Sequence, residues 1–130
     1  MPTRALLDTH SFLWFISGSE RLSRPARTLI EAPENPMLVS MASLWEIAIK
    51  HGLGKLSLER PFVDLIPEQL ERQRIDVLGI ELPHLAELIR LPLHHRDPFD
   101  RLLAAQARAE DLPIISVDDT LDAYGVRRIW

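Results

Sequence analysis

Cysteine is absent from this chain, so disulfides, thiolate nucleophiles and thiolate metal sites are excluded. Lysine is scarce: Lys50 and Lys55 are the only two, and the remaining basic residues are arginines. Positive charge is not in excess either, with a formal net charge of −4 and a pI near 5.7. Nucleic-acid binders are usually basic, so this balance alone argues weakly against such a partner. Two facts soften it. Arginine matches phosphate geometry better than lysine does, and acids that hold divalent cations do not act as a bare anionic surface.

Long apolar runs are also lacking, and no stretch approaches the length of a membrane span. The opening MPTRALLDTH has charge on either side of an apolar run too brief for a secretory leader. With 46% hydrophobic and 26% charged residues, and no repeat, linker or low-complexity segment, one globular domain over 1–130 is expected. The expected setting is the cytoplasm, without a membrane partner.

What is present is alternation. Apolar runs at Arg4–Asp8, Met37–Ser40, Ile75–Ile80, Ile114–Val117 and Val126–Ile129 read as short strands. Between them, helices are expected over Ser11–Ile16 and Pro25–Ile30, the latter capped near Ser23 or Arg24. Further helices fall at Met41–His51, stopped by Gly52 and Gly54, and at Pro61–Arg72, kinked or interrupted near Pro67. Leu82–Arg90 and Pro98–Glu110 complete the set. Strands alternating with helices predict an α/β fold, with a parallel sheet of four to five strands covered on both faces.

Ligands of such sheets sit at the carboxyl ends of the strands, where strand order reverses. Asp8 ends the first strand and Asp118 follows the fourth. Both also suit helix caps, and a lone acid after a strand is more often a cap than a catalyst. In Met41–His51 the helical step puts Met41, Leu44, Trp45 and Ala48 on one stripe, so the helix is expected to be largely buried. Glu46 projects away from that stripe, and an exposed pair with Lys50 one turn on would account for it. Asp97 before Pro98 reads as an N-cap. Asp100 shares a face with Leu103, Ala104 and Ala107 and is expected to point inward. Four carboxylates at one sheet edge, Asp8, Glu46, Asp100 and Asp118, would repel unless a cation neutralised them. Oxygen donors without cysteine select Mg²⁺ or Mn²⁺, ions suited to phosphodiester hydrolysis.

The blocks LLDTHSFLWF, ASLWEIAIKHGLGKL, HHRDPFDRLLAAQA and IISVDDTLDAYGV, in that order, resemble the four sequence blocks of PIN domains in their VapC-like branch. Singly each is weak, but the ordered set spans nearly the whole chain. The resemblance carries the family's acids onto Asp8, Glu46, Asp100 and Asp118; in the third block Asp97 lies close to Asp100, and the helix face favours Asp100, with Asp97 as the alternative or an outer residue. It implies a three-layer α/β/α sandwich, Mg²⁺ or Mn²⁺, and endonucleolytic cutting of RNA. It also implies inhibition by a small VapB-like antitoxin encoded alongside, and a homodimer.

Thr9 and Ser116 are candidates to orient Asp8, a metal-bound water or the phosphate, or else are turn hydroxyls bonded to backbone. His94-His95 reads as polar loop, and His10 sits beside the first acid. Phe12, Leu13, Trp14, Phe15 and Ile16 are core, or in part a groove for an antitoxin segment or second copy. Two other functions compete. An aspartyl-phosphate phosphatase or receiver domain would need a second acid two residues after Asp8, or a lysine after the late strands, and the chain has neither. A catalytically inactive PIN-like scaffold binding RNA or protein retains no use for four acids.

Overall fold

The computed structural model describes residues 2–93 and 97–130, so the expectation for His94-His95 lies outside the described residues. Five strands form one sheet: β1 (Ala5–Leu7), β2 (Met37–Ser40), β3 (Ile75–Leu78), β4 (Ile114–Ile115) and β5 (Arg128–Ile129). The order is β3-β2-β1-β4-β5, every pairing parallel, which meets the expected sheet at its upper count.

Among the described residues six α-helices connect them: α1 (Thr9–Ser17), α2 (Arg24–Glu31), α3 (Met41–Gly52), α4 (Phe62–Arg72), α5 (Leu82–Arg90) and α6 (Pro98–Glu110). Side chains alternate across each strand, and the two faces fill two cores. Ala5, Leu7, Met37, Val39, Ile75 and Ile115 join residues of α1 to α4. Leu6, Leu38 and Ile114 join the small face of α6 (Leu103, Ala104, Ala107). The chain winds outward through β1, β2 and β3, then returns past β1 to β4. Parallel crossovers keep one hand, so reversing the direction of winding moves α5 and α6 to the opposite face. The result is the three-layer sandwich.

Local chemistry sets the boundaries. Ser23 caps α2 through the Ala26 amide with proline in the first turn, and Ser40 caps α3 through the Ala42 amide. Gly18 closes α1 with φ of 66°, a left-handed turn that glycine adopts at no steric cost. α4 runs on through Pro67 instead of breaking there, with the proline on its exposed side. A 3-10 helix (Asp119–Tyr124) follows β4 and was not expected. Its Leu121 and Tyr124, three apart and therefore on one side of a 3-10 turn, are almost completely buried.

The largest departure from expectation is the orientation of α3. Its most apolar stripe faces outward: Met41 is 48% and Trp45 56% exposed, and Ala48 is exposed as well. The buried face is Ala42, Ser43, Glu46 and Ile47, with Leu44 buried beside it. Small residues let the helix lie close to the layer beneath, and that close approach carries Glu46 inward.

Candidate active site

Reversal of winding leaves a crevice at the carboxyl ends of β1 and β4, the place where such sheets bind ligands. Asp8 is the first residue after β1. It is 5% exposed, its amide donates to the Ile115 carbonyl of β4, and its Oδ1 accepts the Ser11 amide at 2.8 Å. Asp8 is therefore a helix cap, and the cap uses one carboxylate oxygen. Ser11 Oγ donates to the Ile115 carbonyl at 3.0 Å, tying the start of α1 to the end of β4.

Glu46 is 4% exposed, so the surface-pair reading fails on burial although its partner is as expected. Thr9 Oγ1 donates to Glu46 Oε1 at 2.8 Å, and the Ser43 hydroxyl lies 2.9 Å from the same Thr9 oxygen in a second hydrogen bond. Lys50 Nζ donates to Glu46 Oε2 at 2.6 Å. Both oxygens of a buried carboxylate are thus engaged, one by a hydroxyl and one by a cation, as burial of a charge requires. The Lys50 ammonium is held above its ordinary pKa chiefly by that hydrogen bond. The charges of Glu46, Asp97 and Asp100 add to the effect. Asp97 and Asp100 therefore lie within electrostatic reach of the same cation.

Asp97 caps α6, its Oδ1 accepting the Phe99 amide at 2.8 Å and the Asp100 amide at 3.4 Å. Asp100 stands half-buried at the head of the face that carries Leu103, Ala104 and Ala107 inward. α6 runs against the strands, so its first turn arrives at the same edge as Asp8. The ring of Phe99 meets Trp45 edge-on at 5.2 Å, linking the segments that bear Asp100 and Glu46.

Asp118 follows β4. Its Oδ1 accepts from the amide and hydroxyl of Thr120, at 3.0 and 2.6 Å, as cap of the 3-10 helix. Its charge bears on Arg128, whose guanidinium donates to Asp122 and to the Ser116 carbonyl. Ser116 Oγ accepts the Asp118 amide at 3.0 Å, so this hydroxyl is the backbone-bonded turn group. Thr9 bonds through its hydroxyl to Glu46 and not to its neighbour Asp8.

Among the described residues no three acidic or imidazole side chains are gathered closely enough to cage an ion ready-made. The donor chemistry nonetheless suits a hard cation: carboxylates and hydroxyls, with an ammonium already seated as a cation on Glu46. Sequence reasoning named Lys50 only as a surface partner of Glu46 and gave Ser43 no role, whereas both belong to the bonded group around Glu46. The spacing of Lys50 from Glu46 was the available signal, while Ser43 had none beyond sharing the face of Glu46.

The aromatic segment divides as its two readings allowed. Phe12 and Phe15 are core, whereas Trp14 is partly exposed, with the rings of His10 and Trp130 centred 5.7 and 6.0 Å from its own. A cavity of about 300 Å³ opens there, lined by His10, Leu13, Trp14, Ile16 and Leu58 among others. A second groove, entirely apolar, runs between α3 and α4 past Met41, Trp45, Phe62, Ile66 and Val77.

Comparison with known proteins agrees with this architecture. The PIN domain profile matches residues 5–126. Ribonuclease VapC16 of Mycobacterium tuberculosis is 35% identical over 60 residues, which is 46% of this chain and 43% of that relative's length. Among solved structures, VapBC2 from Rickettsia felis bound to a DNA fragment from its promoter superposes with a TM-score of 0.74. It shares 15% identity, and 98% of each chain is covered. A toxin–antitoxin complex from Klebsiella pneumoniae superposes with a TM-score of 0.58 at 16% identity, covering 88% of this chain and 86% of that one.

Proposed function

The chain belongs to the PIN domain family, and from that premise we propose that it is an Mg²⁺- or Mn²⁺-dependent endoribonuclease, the toxin of a toxin–antitoxin pair. The observation that carries the proposal is the buried Glu46 at the switch point, held by Thr9 and Lys50 within the field of Asp97 and Asp100. A carboxylate sealed from water and given a cation at a sheet edge serves little purpose in a mere scaffold.

Asp8, Glu46 and Asp100 would hold the ion, with Asp118 reaching it directly or through water. When bound, a divalent cation lowers the pKa of water and neutralises charge building on a phosphate. The chain's own residues do the positioning. Thr9 fixes the rotation of Glu46, the α1 cap fixes Asp8, and the Ser116 turn presents Asp118. Asp97 holds the first turn of α6 and through it Asp100.

RNA as substrate is supported by the matched relative, a ribonuclease, and a small VapB-like antitoxin by the likeness to toxin–antitoxin complexes. Two apolar surfaces, the Trp14 cavity and the α3–α4 groove, offer room for an antitoxin segment and for a second copy of the chain. Among the described residues no helix is long and apolar enough to cross a membrane, and the cytoplasm is the proposed setting.

The test is cleavage of a mixed RNA pool by purified, antitoxin-free protein with Mg²⁺, with Mn²⁺ and with EDTA, beside Asp8→Asn and Asp100→Asn. Metal-dependent cutting lost in both variants supports the reading. Cutting that survives EDTA, or survives both replacements at the original rate, overturns it.

A further inference from the structure

A lysine four residues after a glutamate is ordinarily a solvated pair worth a few tenths of a kcal/mol. Lys50 differs because its partner is sealed. The Glu46 side chain is 5% exposed and the Lys50 side chain 42%, so the lysine reaches in from water to a carboxylate that cannot reach out. Glu46 is fixed on its other side by Thr9, itself buried and bonded to Ser43. The acid stays and the cation can swing, since a long flexible stem needs only a change of rotamer to return its ammonium to solvent.

We propose that Lys50 is a tethered countercation of the site: it occupies the cation position on Glu46 Oε2 and must be displaced before a divalent ion binds there. This inference rests on the reading of Glu46 as a metal ligand and deepens it. An Mg²⁺ ion approaches a carboxylate oxygen to about 2.0–2.1 Å, so an ammonium at 2.6 Å on the same oxygen would stand as a like charge close beside it. The lysine therefore weakens ion affinity twice, by a hydrogen bond that must be given up and by the repulsion of a nearby positive charge. In return it keeps the metal-free protein from burying a bare carboxylate. The charges of Asp97 and Asp100 also act on the ammonium, so those acids lie near the same position. Lys50 is thus a positioning residue that sets the ion concentration at which the site assembles.

The experiment is Mn²⁺ binding by calorimetry to the full chain at fixed pH and ionic strength, for the native protein, Lys50→Gln and Lys50→Arg. The glutamine variant is expected to bind Mn²⁺ about tenfold more tightly, and the arginine variant, which keeps the charge, at or below native affinity. A glutamine variant that binds no more tightly than the native protein overturns the proposal while leaving the metal reading standing. Absence of Mn²⁺ binding in all three overturns both. A second measurement needs no variant. The chain has only two lysines, so nitrogen-labelled ammonium groups give two signals in NMR. Titrating Mg²⁺ should shift the Lys50 signal and leave Lys55 in place; a Lys50 signal unmoved at saturating Mg²⁺ overturns the displacement.

Discussion

Thr9 Oγ1 donates to Glu46 Oε1 at 2.8 Å, a buried hydrogen bond between the first turn of α1 and the middle of α3. It joins two elements that lie apart in sequence and leaves one carboxylate oxygen with a fixed direction. A hydroxyl aimed at a charged acceptor contributes more than a neutral pair, and its loss unfastens the acid instead of merely weakening the fold.

Thr9→Val keeps the shape and removes the hydroxyl. We expect a loss of about 1.5–3 kcal/mol in stability by urea unfolding, the range for hydrogen bonds to charged groups. RNA cleavage should fall about 10–100-fold, as for outer residues that orient a metal ligand. Native-like cleavage in a folded Thr9→Val protein would remove Thr9 from the site.

Asp97 separates a cap from a ligand. An asparagine in its place can cap as aspartate does but carries no charge, whereas an alanine offers neither cap nor charge. Asp97→Ala should cost about 1 kcal/mol of stability and Asp97→Asn little. If Asp97 acts only by holding the turn that presents Asp100, Asp97→Asn retains most cleavage activity. Loss equal to that of Asp100→Asn would make it a ligand instead.

His84 tests a region away from the site. Its ring is fully buried; Nδ1 accepts the Glu81 amide at 3.0 Å, so Nε2 carries the proton and donates to Glu110 at 3.0 Å. Gln106 Nε2 bonds to the Gly79 carbonyl and to His84 Nδ1. Replacing His84 with leucine strands the Glu81 amide and one hydrogen of Gln106, at about 1–3 kcal/mol for each group left unpaired. The urea midpoint should drop accordingly, while cleavage per folded molecule stays at the native level.

Trp45 probes the outward stripe of α3. It is 56% exposed and its ring meets that of Phe99 edge-on, so Trp45→Ser should cost about 1 kcal/mol or less. If the α3–α4 groove receives a second copy, sedimentation will show weaker self-association in this variant. Unchanged association would place the dimer surface elsewhere.

The contrast between α3 and α6 explains which parts of this molecule were legible in sequence. In α6 a proline, a capping acid and a run of small residues agree, so the boundaries and the inward face of Asp100 both followed from the residues. α3 is apolar around most of its circumference, so hydrophobic pattern alone could not orient it. Tertiary packing chose the face with Ala42 and Ser43, because small residues admit a closer approach than Met41 and Trp45 do. The pairing of Glu46 with Lys50 was readable from spacing, yet its burial was not, since burial depends on Thr9 arriving from another helix. The 3-10 helix escaped notice because its two buried residues recur at a spacing too short to register as periodicity. Position in the chain left Asp8, Asp97 and Asp118 open as caps and Glu46 as a surface pair, and it was the resemblance that singled out Asp8, Glu46, Asp100 and Asp118 as a set. That Glu46, Asp97 and Asp100 act on Lys50, and Asp118 on Arg128, needed coordinates.

The central strand has a consequence for how the molecule comes into being. β1 is flanked by β2 and by β4, and the second pairing sets Leu6 against Ile114. Ribosomes deliver β1 long before β4, so the innermost strand waits through most of the domain's synthesis with one edge unpaired. Closure of so long a loop carries a large entropic cost before any contact repays it, and non-local parallel pairing is slow. Asp8 gains its Ile115 partner, and the crevice its second wall, only when that closure occurs. A growing chain therefore holds Asp8, Glu46 and Asp100 before the crevice has its second wall, and a product cut short before β4 is expected to be inactive.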